Sequence, residues 1–278
     1  MSLLDMLLLE NLTWRWHWLI ILTGLAVLYS FLLHRFGKNE VVRMQPISFS
    51  LGCLLLFLML GSPFATLNHI SFTLHMAQMS VLFFFVPPLL MLSIPVPWHD
   101  FIIKTRPAWW PSIPFTSLEF LYTFSILFLL YHIPSILSIL VAYPVLQKSY
   151  LLLLFLLSFG MWRPLASPDP LLRLCACKMK KYAFWSGLAI MPACLLFVAS
   201  AFFENAHNPF LLQLVAHLCG PGFLDSLQLP VQSKYDRLLA GALMLILHKS
   251  SLVFTLKWQR IVSADFYDEL DKETSTKC

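Results

Sequence analysis

The stretch SFTLHMAQMSVLFFFVPPLLMLSIPVP, Ser71–Pro97, runs for 27 residues without an Asp, Glu, Lys or Arg. A helix needs about 20 mainly apolar residues to cross the hydrocarbon core of a bilayer, and Phe72 to Ile94 supply them. In lipid every backbone N–H and C=O must find a partner within the segment or in a closed barrel. The stretch has no period-two alternation of apolar and polar residues, so a spanning helix is expected.

The same pattern recurs along the chain. Spans are expected at about 18–36, 47–67, 72–94, 118–141, 149–165, 182–203 and 238–256. The composition agrees: 59% of the 278 residues are hydrophobic and 12% charged, with a mean hydropathy of +0.75, where a soluble domain carries about 25% charged residues. The fold class is therefore an all-α polytopic membrane bundle of about seven helices, a single domain over residues 1–278 embedded in the lipid bilayer. Acidic Asp5 and Glu10 stand where a secretory signal would be basic, so the N-terminal segment is expected to be retained. No repeat divides the chain into related halves, as many secondary transporters require.

Lys and Arg in short loops orient such a bundle. One set of loops holds Arg35, Lys38, Arg43, Lys104, Arg106, Arg163, Arg173, Lys178, Lys180, Lys181, Lys257 and Arg260; the other holds Arg15, Lys148, Lys234 and Arg237. Twelve against four places the first set in the cytoplasm, with the N-terminus outside and the C-terminus inside. Trp14, Trp16 and Trp18 then form an outer interfacial belt. Topology accounts for the formal net charge of +5, and no nucleic-acid partner is implied. Of the six cysteines only Cys219 falls outside in this orientation, so no structural disulfide is expected.

On the third span His75 and Met79 lie four residues apart and share a helix face, with Met76 three residues before Met79. Imidazole and thioether together suit copper, and thioether favours the cuprous state. Methionine is also ordinary filler in helix bundles. On a straight fourth span His132 would sit about 13 Å below the outer end, and Met79 about 11 Å below it on the third. The two depths match, and an ionisable residue inside the membrane is a functional candidate. The plainer alternative has His132 bonding a carbonyl freed by Pro134. His69, His217 and Cys219 are further outer-side candidates, the last two on an expected interfacial helix at 208–220. Cys175 and Cys177 form a cytoplasmic thiol pair beside lysines, and His248 and Lys249 fall within the seventh span. No Walker loop, G-x-S-x-G, H-E-x-x-H or dinucleotide fingerprint is present, and a non-catalytic role is expected.

The segment GSPFATLNHISFTLHMAQMSVLFFFVPPLLMLSIP at Gly61–Pro95 resembles the signature of the CtaG family of bacterial membrane proteins, assembly factors for cytochrome c oxidase of the caa type. YHIP at Tyr131–Pro134, MWRPL at Met161–Leu165 and, more loosely, YDRLLAGALM at Tyr235–Met244 extend the likeness. The resemblance implies a multi-pass protein of the bacterial plasma membrane that helps copper insertion into the oxidase. Its implied partners are the oxidase subunits, especially copper-bearing subunit II. It carries over His75, Met76, Gln78 and Met79, His132 with Pro134, and Asp236 and Gly241. Many relatives have His where Met79 stands, and further His residues where this chain reads VLQKS at Val145–Ser149. Arg237 and Leu238 stand in place of glutamines. Two other classes remain open on the residues: a haem protein with His75 and His132 as axial ligands, and a permease for a small solute or metal.

Overall fold

The computed structural model describes residues 14–36, 44–68, 71–95, 98, 116–167, 173–202 and 233–276, with side chains as far as Ser263 in the last stretch. Every regular element among them is helical. The chain runs through α1 (Trp16–Phe36), α2 (Met44–Leu56) with a π-helical turn Phe57–Gly61, and the short α3 (Phe64–Leu67). The third span is α4 (Phe72–Ser80), a π-helical turn Val81–Phe85 and α5 (Val86–Leu92). Then come α6 (Ser117–His132), α7 (Pro134–Ala142), α8 (Pro144–Ala166), α9 (Ala176–Ser200) and α10 (Ser233–Thr276). Among the described residues six helices are long and apolar enough to cross a membrane, or seven if α6 and α7 count as one bent span. The polytopic bundle read from hydropathy is thus the observed architecture.

Two proline effects shape the bundle. Pro87 and Pro88 lack N–H groups, so the Phe83 carbonyl has no donor at either four or five residues onward. The helix answers with the π-helical turn, in which the Val86 N–H reaches the Val81 carbonyl. From α8 the Trp162 indole N–H donates to the Phe83 carbonyl at 2.9 Å. Proline thus opens the backbone, and a buried tryptophan from a neighbouring helix closes it.

At Pro134 the result is different. An unbroken helix over 118–141 is expected from hydropathy, but α6 ends at His132 and α7 starts with Pro134 in its first turn, bent by 80°. Proline is comfortable at a helix start and blocks helical geometry at the residue before it; Ile133 is accordingly extended. The depth argument for His132, which measured back from Val141 along a straight axis, therefore does not hold. His132 sits at the C-terminal end of α6.

The last helix spans 44 residues, about 66 Å by helical rise and roughly twice the hydrocarbon thickness. Its Lys234–Ser263 part is apolar enough to span, and the remainder extends beyond it on the end that the charge count places in the cytoplasm. The fifth span begins at Pro144, five residues before its expected start.

The third span lies at the centre. It packs against α10, α8 and α2, while α9 lies against both α6 and α10. Asp236 and Phe72, 164 residues apart, make one contact between α10 and α4; the Phe84 and His248 rings make another, with centroids 4.9 Å apart. Those positions also differ by 164, so the third span and α10 run parallel and in constant register over three turns.

Candidate functional site

The site is built where α4, α6, α9 and α10 meet. The start of α4 is capped twice. Ser71 accepts from the Thr73 N–H at 3.1 Å. The buried Asp236 carboxylate, reaching across from α10, accepts from the Phe72 and Thr73 N–H groups at 2.7 and 3.1 Å and from the Ser71 and Thr73 hydroxyls at 2.5 and 2.6 Å. A carboxylate at a helix N-terminus is favoured by the free N–H groups and the helix dipole. Asp236 thereby fixes the height of α4, and of His75 one turn along it, relative to α10.

His75, Met76 and Met79 are all buried on α4, at 2%, 0% and 3% exposure. The His75 ring stacks on Tyr131 at 5.9 Å and meets the His132 ring at 6.5 Å between centroids. His132 is 4% exposed and packs edge-on against Phe128, Tyr131 and Phe197. Its Nδ1 lies 2.6 Å from the Phe128 carbonyl. A carbonyl only accepts, so Nδ1 carries the proton and Nε2 presents a lone pair. Nε2 is buried and has no hydrogen-bond partner among the described residues. The carbonyl that Pro134 leaves without a helical donor is that of Leu130, and it accepts from Ile133 N–H at 3.2 Å. The His132 bond is thus made one turn back inside its own helix.

The other motif positions hold the frame. Gln78 points away from the histidines: its amide donates to the Met59 carbonyl at 2.6 Å and its oxygen accepts from Asn68, tying α4 to the second span. Pro134 ends α6 immediately beyond His132. At Gly241 a Cβ would stand 2.8 Å from the Cys194 carbonyl oxygen, so only glycine lets α10 approach α9 this closely. Arg237, where the family motif has glutamine, donates to the Ser200 carbonyl at 2.6 Å and links the same two helices.

The remaining candidates do not join the cluster. Cys175 and Cys177 are exposed at the start of α9. Lys249 is exposed. His69, His217 and Cys219 lie outside the described residues. Among the described residues no three His, Cys, Asp or Glu side chains converge as a metal-binding group, so any soft-metal site here depends on thioether sulfur beside the two imidazoles.

Tyr131 and Phe197 are site residues that the sequence reading passed over as chemistry. Tyr131 is fully buried, stacks on His75, and its hydroxyl accepts from the Gln147 amide at 3.3 Å. The signal for Tyr131 was its place beside His132 in YHIP; Phe197, in an apolar run of α9, carried none.

These features define a polytopic helical membrane protein with a buried histidine pair between its third and fourth spans. The match of the cytochrome c oxidase caa3 assembly factor family (Caa3_CtaG) covers residues 27–258. The chain belongs to that family, and with it to proteins that assemble cytochrome c oxidase. No curated protein and no solved structure gives a match. Membership in an assembly-factor family agrees with a non-catalytic role and implies interaction with the oxidase.

Proposed function

We propose that this protein helps insert copper into cytochrome c oxidase by binding and presenting cuprous ion at the outer face of the bacterial plasma membrane, and that the dinuclear centre of subunit II is its main destination. Copper is cargo in this scheme. The observation that carries it is the His132 ring: Nδ1 is tied to the Phe128 carbonyl, and Nε2 is left as a buried, unused donor. Metal-binding histidines are typically held in this way, with one nitrogen on a carbonyl and the other free to ligate. The 6.5 Å between the His75 and His132 centroids also suits one shared ion, since two metal–nitrogen bonds of about 2 Å plus the ring radii span about 6 Å. Met76 and Met79 supply the soft donors that favour Cu(I).

The test is the copper-to-haem ratio of the oxidase in cells. Deletion of the protein is expected to leave oxidase that contains haem but is poor in copper. Met79→His should keep copper delivery, because imidazole replaces thioether as a ligand, and Met79→Leu should lower it. A deletion strain with fully metallated oxidase contradicts the copper role; normal copper with Met79→Leu removes Met79 from the site.

A further inference from the structure

Below the outer site a third buried histidine is left without a use. His248 is 1% exposed in the middle of the spanning part of α10, and neither ring nitrogen has a hydrogen-bond partner among the described residues. An imidazole buried in this way gives up its hydration without a protein partner in return, and inside a membrane such a group is a functional candidate. One turn toward the outer end, Met244 is 0% exposed. Residues four apart share a helix face, so α10 presents a thioether and an imidazole toward the bundle interior about 6 Å apart along its axis.

The register between α10 and the third span places this pair in line with the outer site. With a constant offset of 164 residues, Met244 stands level with Ser80, the residue after Met79, and His248 stands level with Phe84. Soft donors therefore descend from Met76 to Met79 on α4, cross to Met244 at nearly the same height, and continue one turn further to His248 on α10. Met76, Met79 and Met244 belong to one continuous buried cluster.

We propose that Met244 and His248 form a second cuprous site, making the interface of the third span and α10 a relay that moves Cu(I) through the outer half of the bundle. Thioether and imidazole bind the same soft ion as the outer set, so the ion passes between like ligands without a change of oxidation state. This inference rests on copper being the cargo, and it adds the path by which the ion travels.

The experiment is an anaerobic titration of the purified full-length chain with Cu(I) against a chromophoric chelator, followed by X-ray absorption at the copper edge. Wild type is expected to bind two ions. His248→Leu and His132→Leu should each bind one, and the pair of substitutions together none. Met244→Leu, which keeps bulk and packing, should lose the sulfur signal of the second ion and weaken it by more than the roughly 10–100-fold typical of outer-shell changes. If His248→Leu and Met244→Leu both bind copper as wild type does, the relay is overturned. If they do so while His132→Leu loses an ion, the relay falls and the outer-site proposal stands. If His248→Leu loses an ion while His132→Leu does not, the second site stands and the outer site falls.

Discussion

The first and third spans are almost equally apolar, with mean hydropathies of 1.8 and 1.6, yet 6% of the first is buried within the protein and 72% of the third. Hydropathy therefore decides that a segment crosses the membrane and says little about where it sits in the bundle. The reason is physical. Lipid chains are as apolar as leucine, so greasy side chains gain little by leaving lipid for protein. Helices are drawn together by groups that lipid cannot satisfy. The third span has many of these: the helix-terminal N–H groups at its start, Gln78, and the carbonyl that Pro87 and Pro88 strand. The first offers little beyond Tyr29, whose hydroxyl donates to the Ser93 carbonyl at 2.8 Å, and its Ile20, Val27 and Phe31 face outward.

If that contrast is correct, damage should follow the polar links and not the apolar bulk. The largest effect is expected for Asp236→Leu. It leaves buried N–H and hydroxyl donors of α4 without their acceptor, a loss on the order of 3 kcal/mol or more. Membrane abundance and thermal unfolding in detergent should both drop, and full abundance would show that Asp236 does not hold α4. Trp162→Phe keeps the aromatic bulk but removes the donor to the Phe83 carbonyl, and should cost about 1 kcal/mol. Its unfolding temperature should fall measurably; an unchanged value would mean that the π-helical turn satisfies that carbonyl in another way. Ile20→Ala in the first span, at a 72% exposed position, should change stability by no more than about 0.5 kcal/mol. A loss comparable with that of Asp236→Leu would place the first span inside an interface and break the contrast.

The same comparison explains what the sequence could reveal. Apolar runs locate spans regardless of context, so the helical bundle with its six or seven crossings among the described residues was legible. The fourth span was drawn as one rod because its apolar run continues through the break; Pro134 was the local sign, since proline favours a helix start. Pairing between distant residues was less legible. Nothing near Asp236 in the chain shows that it caps a helix 164 residues away. The spacing of His75, Met76 and Met79 marked one side of the candidate site. The depth estimate paired His132 with Met79 along a straight helix that the bend at Ile133 invalidates; the ring that His132 meets is that of His75, through the packing of α4 and α6. His248 stood in plain view as an intramembrane histidine, but its unused nitrogens emerge only from the packing around it.

The most direct test of the buried histidine pair as a copper-presenting site is the oxidase copper content in cells carrying His132→Leu, measured per haem and per unit of this protein in the membrane. Leucine retains bulk and removes both ring nitrogens, so a packing role and a ligand role separate. The expected result is near-normal accumulation of the protein with oxidase depleted of copper. Normal accumulation with fully metallated oxidase would contradict the account.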